Sequence, residues 1–144
     1  MSDRPMPATT AIDLPFWDGC DARRLLLQRC ANPACARHIY YPRVCCPYCH
    51  GGTLDWVRVS GRGTIESYSK IHRPQHPSFQ AEAPIYFVAV RLLEGPLMYS
   101  RLQHKPASDH GLLGHAVEVV FSEPDHGRRL PWFALRGEPP ERGR

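Results

Sequence analysis

No stretch of this chain approaches the ~20 consecutive apolar residues that a membrane-spanning helix needs. Residues 1–15 also lack the apolar centre of a secretory signal, so a cytoplasmic location is expected, where thiols stay reduced. Catalytic signatures are missing too. There is no Gly-x-Ser-x-Gly elbow, no His-Glu-x-x-His pair and no phosphate-cradling Gly-x-x-x-x-Gly-Lys loop. The glycines at 61 and 63 lack the spacing of a dinucleotide loop, and the eight histidines are scattered singly. Lysine is nearly absent, with Lys70 and Lys105 alone, so the basic charge is carried by arginine. A net charge of +4 is small and dispersed, unlike the concentrated basic patch of most nucleic-acid binders. Internal repeats and low-complexity tracts are absent.

Cysteine is well represented. Cys30 and Cys35 form one close pair and Cys46 and Cys49 a second, with ten residues between the pairs. Two such pairs, each on a turn, place four thiolates around one tetrahedral ion. In a reducing compartment that pattern argues for metal rather than disulfides. A four-sulfur site leaves no open coordination position, so the expected role of a zinc ion is structural. Iron in a rubredoxin-like site is the alternative and would make the chain an electron carrier. Cys45, beside Cys46, is a substitute ligand at a less usual spacing. Cys20 reads as a small apolar residue.

The rest of the chain is punctuated by fifteen prolines and eleven glycines. Residues 1–13 are polar and proline-bearing, and read as a disordered N-terminus. Residues 14–53 read as a short helix, with Pro15 in its first turn, then a strand into Cys30 and a zinc ribbon. His38 to Arg43 has the look of a short hairpin between the cysteine pairs. From 54 to 136 the pattern is of strands: Trp56–Ser60, Thr64–His72 after the Gly61-Arg62-Gly63 bend, Pro84–Leu93, Pro96–Leu102, His115–Phe121 and Leu130–Leu135. Residues 73–83 and 103–114 are loops, and 137–144 a flexible tail. The expected fold class is mostly β: an N-terminal short helix and rubredoxin-like zinc ribbon, followed by a five-stranded OB-fold barrel. Tyr86, Phe87 and Tyr99 lie in strongly apolar runs and read as core.

The order of these segments resembles a known family. Phe16-Trp17, the strand ending in Cys30, Cys46-Pro47-Tyr48-Cys49, Ser60-Gly61-Arg62-Gly63-Thr64-Ile65, Ala83 to Val90, Gly114 to Phe121 and Leu130-Pro131-Trp132-Phe133 look like the acyl-CoA-associated zinc-ribbon/OB-fold family, long called a domain of unknown function. The likeness covers residues 14–135. The first cysteine pair departs from it, with two extra residues and no glycine after Cys35, and Gly51 follows His50 rather than Cys49.

Members of that family are accessory subunits found with thiolases, thiolase-like aldolases or hydroxymethylglutaryl-CoA synthase. The resemblance therefore implies a non-catalytic subunit that docks on a thiolase-fold partner acting on acyl-CoA, as a two-plus-two heterotetramer if the partner is dimeric. Such a subunit orders the partner's active site and helps hold CoA. Arg62, Lys70 and Arg73 are the candidate CoA-phosphate contacts, because Arg and Lys suit phosphate. A nucleic-acid-binding zinc-ribbon/OB module is the alternative.

Overall fold

The computed structural model describes residues 4–137. The first three residues of the expected disordered N-terminus, and all but the first of the expected tail, lie outside the described residues. Residues 4–13 are placed by specific contacts. The Arg4 guanidinium stacks 4.7 Å from the Phe79 ring centre and pairs with Glu82, and Asp13 is buried.

Among the described residues one α-helix forms, α1 (Leu14–Asp21), with proline in its first turn. It buries Phe16, Trp17 and Cys20. Asp13 occupies the N-cap position, yet its side chain does not cap the helix. It accepts instead from Thr10 N at 2.6 Å, Thr10 Oγ1 at 3.1 Å and the Tyr41 hydroxyl at 2.5 Å. Trp17 Nε1 donates to the same hydroxyl at 3.3 Å, so helix and ribbon are tied through one buried carboxylate.

Burial pushes the Asp13 carboxyl up, but the donors from Tyr41 and Thr10 outweigh it and leave the group below its usual range. A depressed carboxylate contributes stability above its unfolded value of about 3.9, lost as pH falls through the folded one. Tyr41→Phe is expected to cost roughly 1.5–3 kcal/mol in denaturant unfolding, because a buried charge loses a donor. It should also move acid unfolding to higher pH. An unchanged acid midpoint would remove Asp13 from the account.

A three-stranded antiparallel sheet follows, ordered β2-β1-β3, with β1 at Leu26–Cys30, β2 at His38–Ile39 and β3 at Leu54–Arg58. The 38–43 segment does not fold back on itself as a hairpin; His38 and Ile39 pair with Arg29 and Gln28. β3, read from sequence as part of the strand-rich half, pairs along its whole length with β1, from Leu26 opposite Arg58 to Cys30 opposite Leu54.

The second sheet has the order β6-β5-β4-β7-β8, with β4 at Arg62–Ile71, β5 at Ile85–Leu92, β6 at Leu97–Arg101, β7 at Ala116–Phe121 and β8 at Pro131–Leu135. All its pairings are antiparallel. A parallel bridge from Leu102 to Phe133 joins the two edges, backed by Gln103 N to Phe133 O at 2.8 Å and Ser100 Oγ to Pro131 O at 2.5 Å. That closure makes the sheet a five-stranded barrel of OB type, with a bulge between Ile65 and Ser67 bending β4. Val88, Val90, Met98, Val117 and Phe133 fill it with no exposed surface. Phe16, Leu25 and Leu27 belong to the same core, so helix and ribbon sheet rest on the barrel.

Candidate functional site

The first site is the cysteine cluster. Cys30 ends β1, Cys35 lies on the turn that leads to β2, and Cys46 and Cys49 sit on a second turn. Their Sγ atoms all lie within 4.8 Å of one another. Cys30 to Cys49 is 3.5 Å and Cys35 to Cys46 is 3.7 Å. A metal bound to four sulfurs at 2.3 Å sets tetrahedral edges of about 3.8 Å, so the cluster has the size of a tetrathiolate shell. Cys45 is exposed and outside it, and Cys20 is buried among the core apolar residues.

Both turns are knuckles built by the backbone. Cys35 N and Ala36 N donate to Asn32 O at 3.0 and 2.8 Å, His50 N donates to Cys46 O at 2.9 Å, and Tyr48 N points at Cys46 Sγ from 3.4 Å. Ala36 and His50, the residues directly after Cys35 and Cys49, take left-handed φ of 51° and 62°. Glycine would suit both positions. The knuckles form without it, at roughly 1–2 kcal/mol each.

The donor chemistry also asks for a cation. Burial pushes the Cys46 thiol up, but N–H groups of Cys49 and Tyr48, with the neighbouring thiols, bring it down to about 7. For Cys30 the backbone N–H of Asn32 pulls down, while burial and the other three sulfurs push harder, up to about 12. The Cys46 thiolate forms readily and Cys30 resists joining it unless a positive ion compensates. These residues fit a structural metal.

The second region is the barrel surface. The candidate phosphate contacts do not converge. Arg62 and Lys70 stand near opposite ends of the ten-residue β4, about 26 Å apart along an extended strand. Arg62 and Arg73 are exposed, and their guanidinium groups have no partner among the described residues. Lys70 donates to Asp109 Oδ2 at 2.8 Å and lies 5.2 Å from the Tyr86 ring centre, while the Tyr86 hydroxyl donates to Asp109 Oδ1. Lys70 first, then Tyr86, holds the Asp109 carboxyl below its usual range. This triad pins the 103–114 connection to β4 and β5. Asp109 sits in a polar loop, and nothing in its local sequence marks it.

The aromatic residues divide. Tyr86 is buried, but Phe87 and Tyr99 are 42% and 53% exposed, their rings parallel within 7° at 6.1 Å. The apolar run of β5 reads as buried on both sides, yet Phe87 and Arg91 point outward from it.

Two family models match this chain: the ChsH2 rubredoxin-like zinc ribbon domain over residues 17–55 and the ChsH2 C-terminal OB-fold domain over residues 56–122. A solved structure described as the Ltp2-ChsH2(DUF35) aldolase is 33% identical, with a TM-score of 0.78 over 90% of this chain and 98% of that one. The chain belongs to the ChsH2 family of DUF35 proteins. The family is the one that the order of sequence motifs resembled. A probable enoyl-CoA hydratase alpha subunit from Thermomonospora curvata is 38% identical over 133 residues, 90% of this chain. A DUF35 domain-containing scaffold protein from Methanothermobacter thermautotrophicus is 35% identical over 86 residues, 58% of this chain. The chain spans 39% and 63% of those two proteins' lengths. A DUF35 protein of unknown function from Sulfolobus solfataricus shares the fold, with a TM-score of 0.55 at 15% identity. Among the described residues no helix is long and apolar enough to cross a membrane.

Proposed function

We propose that this chain is a non-catalytic, cytoplasmic accessory subunit that docks on a thiolase-fold partner acting on acyl-CoA. The observation that carries this reading is the likeness, over nearly the whole of both chains, to the protein named Ltp2-ChsH2(DUF35) aldolase. The chain's own chemistry agrees: a four-sulfur metal shell with no open position, and no recognised catalytic motif in its sequence. In this reading the ion is zinc, and it holds the ribbon as a preformed docking face at low entropic cost. The assembly is a two-plus-two heterotetramer built on a dimeric partner. Contact with CoA phosphates falls to Lys70 and Arg73 at one end of β4, or separately to Arg62 at the other.

The test is affinity capture of the tagged chain from its native cell. A thiolase-fold protein in stoichiometric amount is expected, with a mass in light scattering equal to two copies of each chain. Capture of nothing, or of a nucleic-acid-processing assembly, would sink the docking reading.

One observation favours a second reading, a nucleic-acid-binding module. Phe87 and Tyr99 are exposed on the strand face that OB folds use for single strands. The arginines beside them are already paired, Arg91 with Glu66 at 2.9 Å and Arg101 with Glu82 at 2.5 Å. Salt-sensitive binding of an oligonucleotide by the free chain would favour this module over the accessory subunit.

A further inference from the structure

Two recesses on the barrel meet at Arg101. One is a cleft of about 460 Å³ between the 72–84 connection and the outer face of the sheet, within the size range of ligand pockets. Ile71, Phe79, Ile85 and Phe87 give it apolar walls. Ile71 and Phe87 remain substantially exposed there, leaving apolar surface in water. The other recess, about 270 Å³, lies over the closing seam of the barrel and is lined by Glu82, Tyr86, Arg101, His104, Lys105 and Trp132.

The second recess carries positive charge that the fold does not cancel. Glu82 serves both Arg4 and Arg101. Arg4 Nε has Asp125 at 3.8 Å, and Lys105 Nζ donates only to the neutral Ala83 carbonyl at 3.0 Å. In the recess itself Arg101 and Lys105 thus face the single carboxylate of Glu82, which Arg4 also shares. The Arg101 guanidinium carbon lies over the Trp132 ring, 4.7 Å from its centre. Its Nη1 donates to Glu82 and its Nε to the Leu102 carbonyl. Its Nη2 amino group has no acceptor among the described residues, although an arginine offers five N–H donors. A partly buried guanidinium with free donors, beside an uncompensated lysine and opening onto an apolar cleft, has the polarity of a head-and-tail site.

We propose that the two recesses form one binding site for a small anionic amphiphile, its apolar chain in the Phe79–Phe87 cleft and its carboxylate or phosphate end group held by Arg101 and Lys105. The site is complete within one chain and requires no partner, so it stands apart from the docking reading.

The test is calorimetry on the full metal-loaded chain with decyl phosphate and decanoate, against decanol and inorganic phosphate. Both amphiphiles, or one of them, should bind at least roughly tenfold tighter than either control, and the tighter one identifies the end group. Lys105→Gln and Phe87→Ser alter exposed side chains and should leave folding intact. Each should weaken the tighter amphiphile by roughly tenfold, while Arg24→Gln on the ribbon side leaves it unchanged. Decanol binding as well as the amphiphiles would overturn the anionic subsite, and phosphate binding as well would overturn the apolar one. Absence of binding at about millimolar ligand, or two variants as tight as the parent, would overturn the whole site. None of these results depends on a partner, so each leaves the affinity capture to be judged separately.

Discussion

Cys46→Ser is expected to abolish metal binding, measured as bound metal per chain after gel filtration, and to melt both knuckles while the barrel stays folded. The reason is the composition of the ribbon's own core. Its buried residues are Cys30, Ile39 and Cys46, with Cys35, Cys49 and Leu54 packed against them. Four of those six are the sulfur donors themselves, so without the ion hardly any apolar surface is left to hold the two turns. Apparent binding energies of structural zinc in small modules are about 10–16 kcal/mol, far beyond what Ile39 and Leu54 can supply. The loss should be local. Leu25 and Leu27 at the start of β1, and Trp56 and Val57 of β3, pack into the main core rather than the ribbon's.

Hydrogen exchange should therefore rise by orders of magnitude at residues 31–37 and 46–51, while β4, β5 and β7 stay protected. Chelation of the wild-type chain should give the same map. If the docking reading holds, partner capture should fail in parallel. Intact knuckles in Cys46→Ser, with metal still bound, would remove Cys46 from the ligand set and leave Cys45 as the fourth donor.

Much of this architecture was legible because its signals are local. The cysteine spacing marks the metal shell, Pro15 the helix start, and the glycine bend together with alternating apolar residues the barrel strands. What escaped was decided by contacts across the chain. Nothing near Leu54 tells that β3 pairs with β1. The run from Pro84 to Leu93 is apolar almost throughout, so periodicity could not show that Phe87 faces out while Val88 and Val90 face in. The outward faces at Phe87 and Tyr99 are apolar without being core, and sequence alone cannot tell a binding face from a buried one. Arg62, Lys70 and Arg73 are comparable as basic residues in the sequence, yet strand geometry separates the first from the other two and Asp109 pairs with the second. Nothing in the local sequence marks Arg101 and Lys105 as neighbours, because the recess they share exists only after the barrel closes at Leu102 and Phe133.

That closure places unusual demands on the glycine bend, and Gly63→Ala is expected to destabilise the chain by at least about 3 kcal/mol, near the top of the range for overpacking. Gly63 lies within β4, opposite Leu92 of β5 on one side and Val117 of β7 on the other. A Cβ there would stand 2.4 Å from the Arg91 carbonyl oxygen and 2.7 Å from Val90 Cγ1. The first of these is backbone in a paired strand, so relief requires breaking the β4–β5 ladder at the point where the sheet bends. Gly61→Ala meets a related obstacle, with φ of 73° and Val119 Cγ1 at 2.2 Å. Gly111 has a similar φ of 78° but open space around it, and its alanine variant should cost only about 1 kcal/mol of conformational strain. Thermal unfolding of the three variants should rank Gly63→Ala and Gly61→Ala well below Gly111→Ala, by several degrees for a chain of this size. If Gly111→Ala were the least stable, backbone handedness rather than close strand approach would govern the bend, and the closure of the barrel would not depend on the missing side chain at 63.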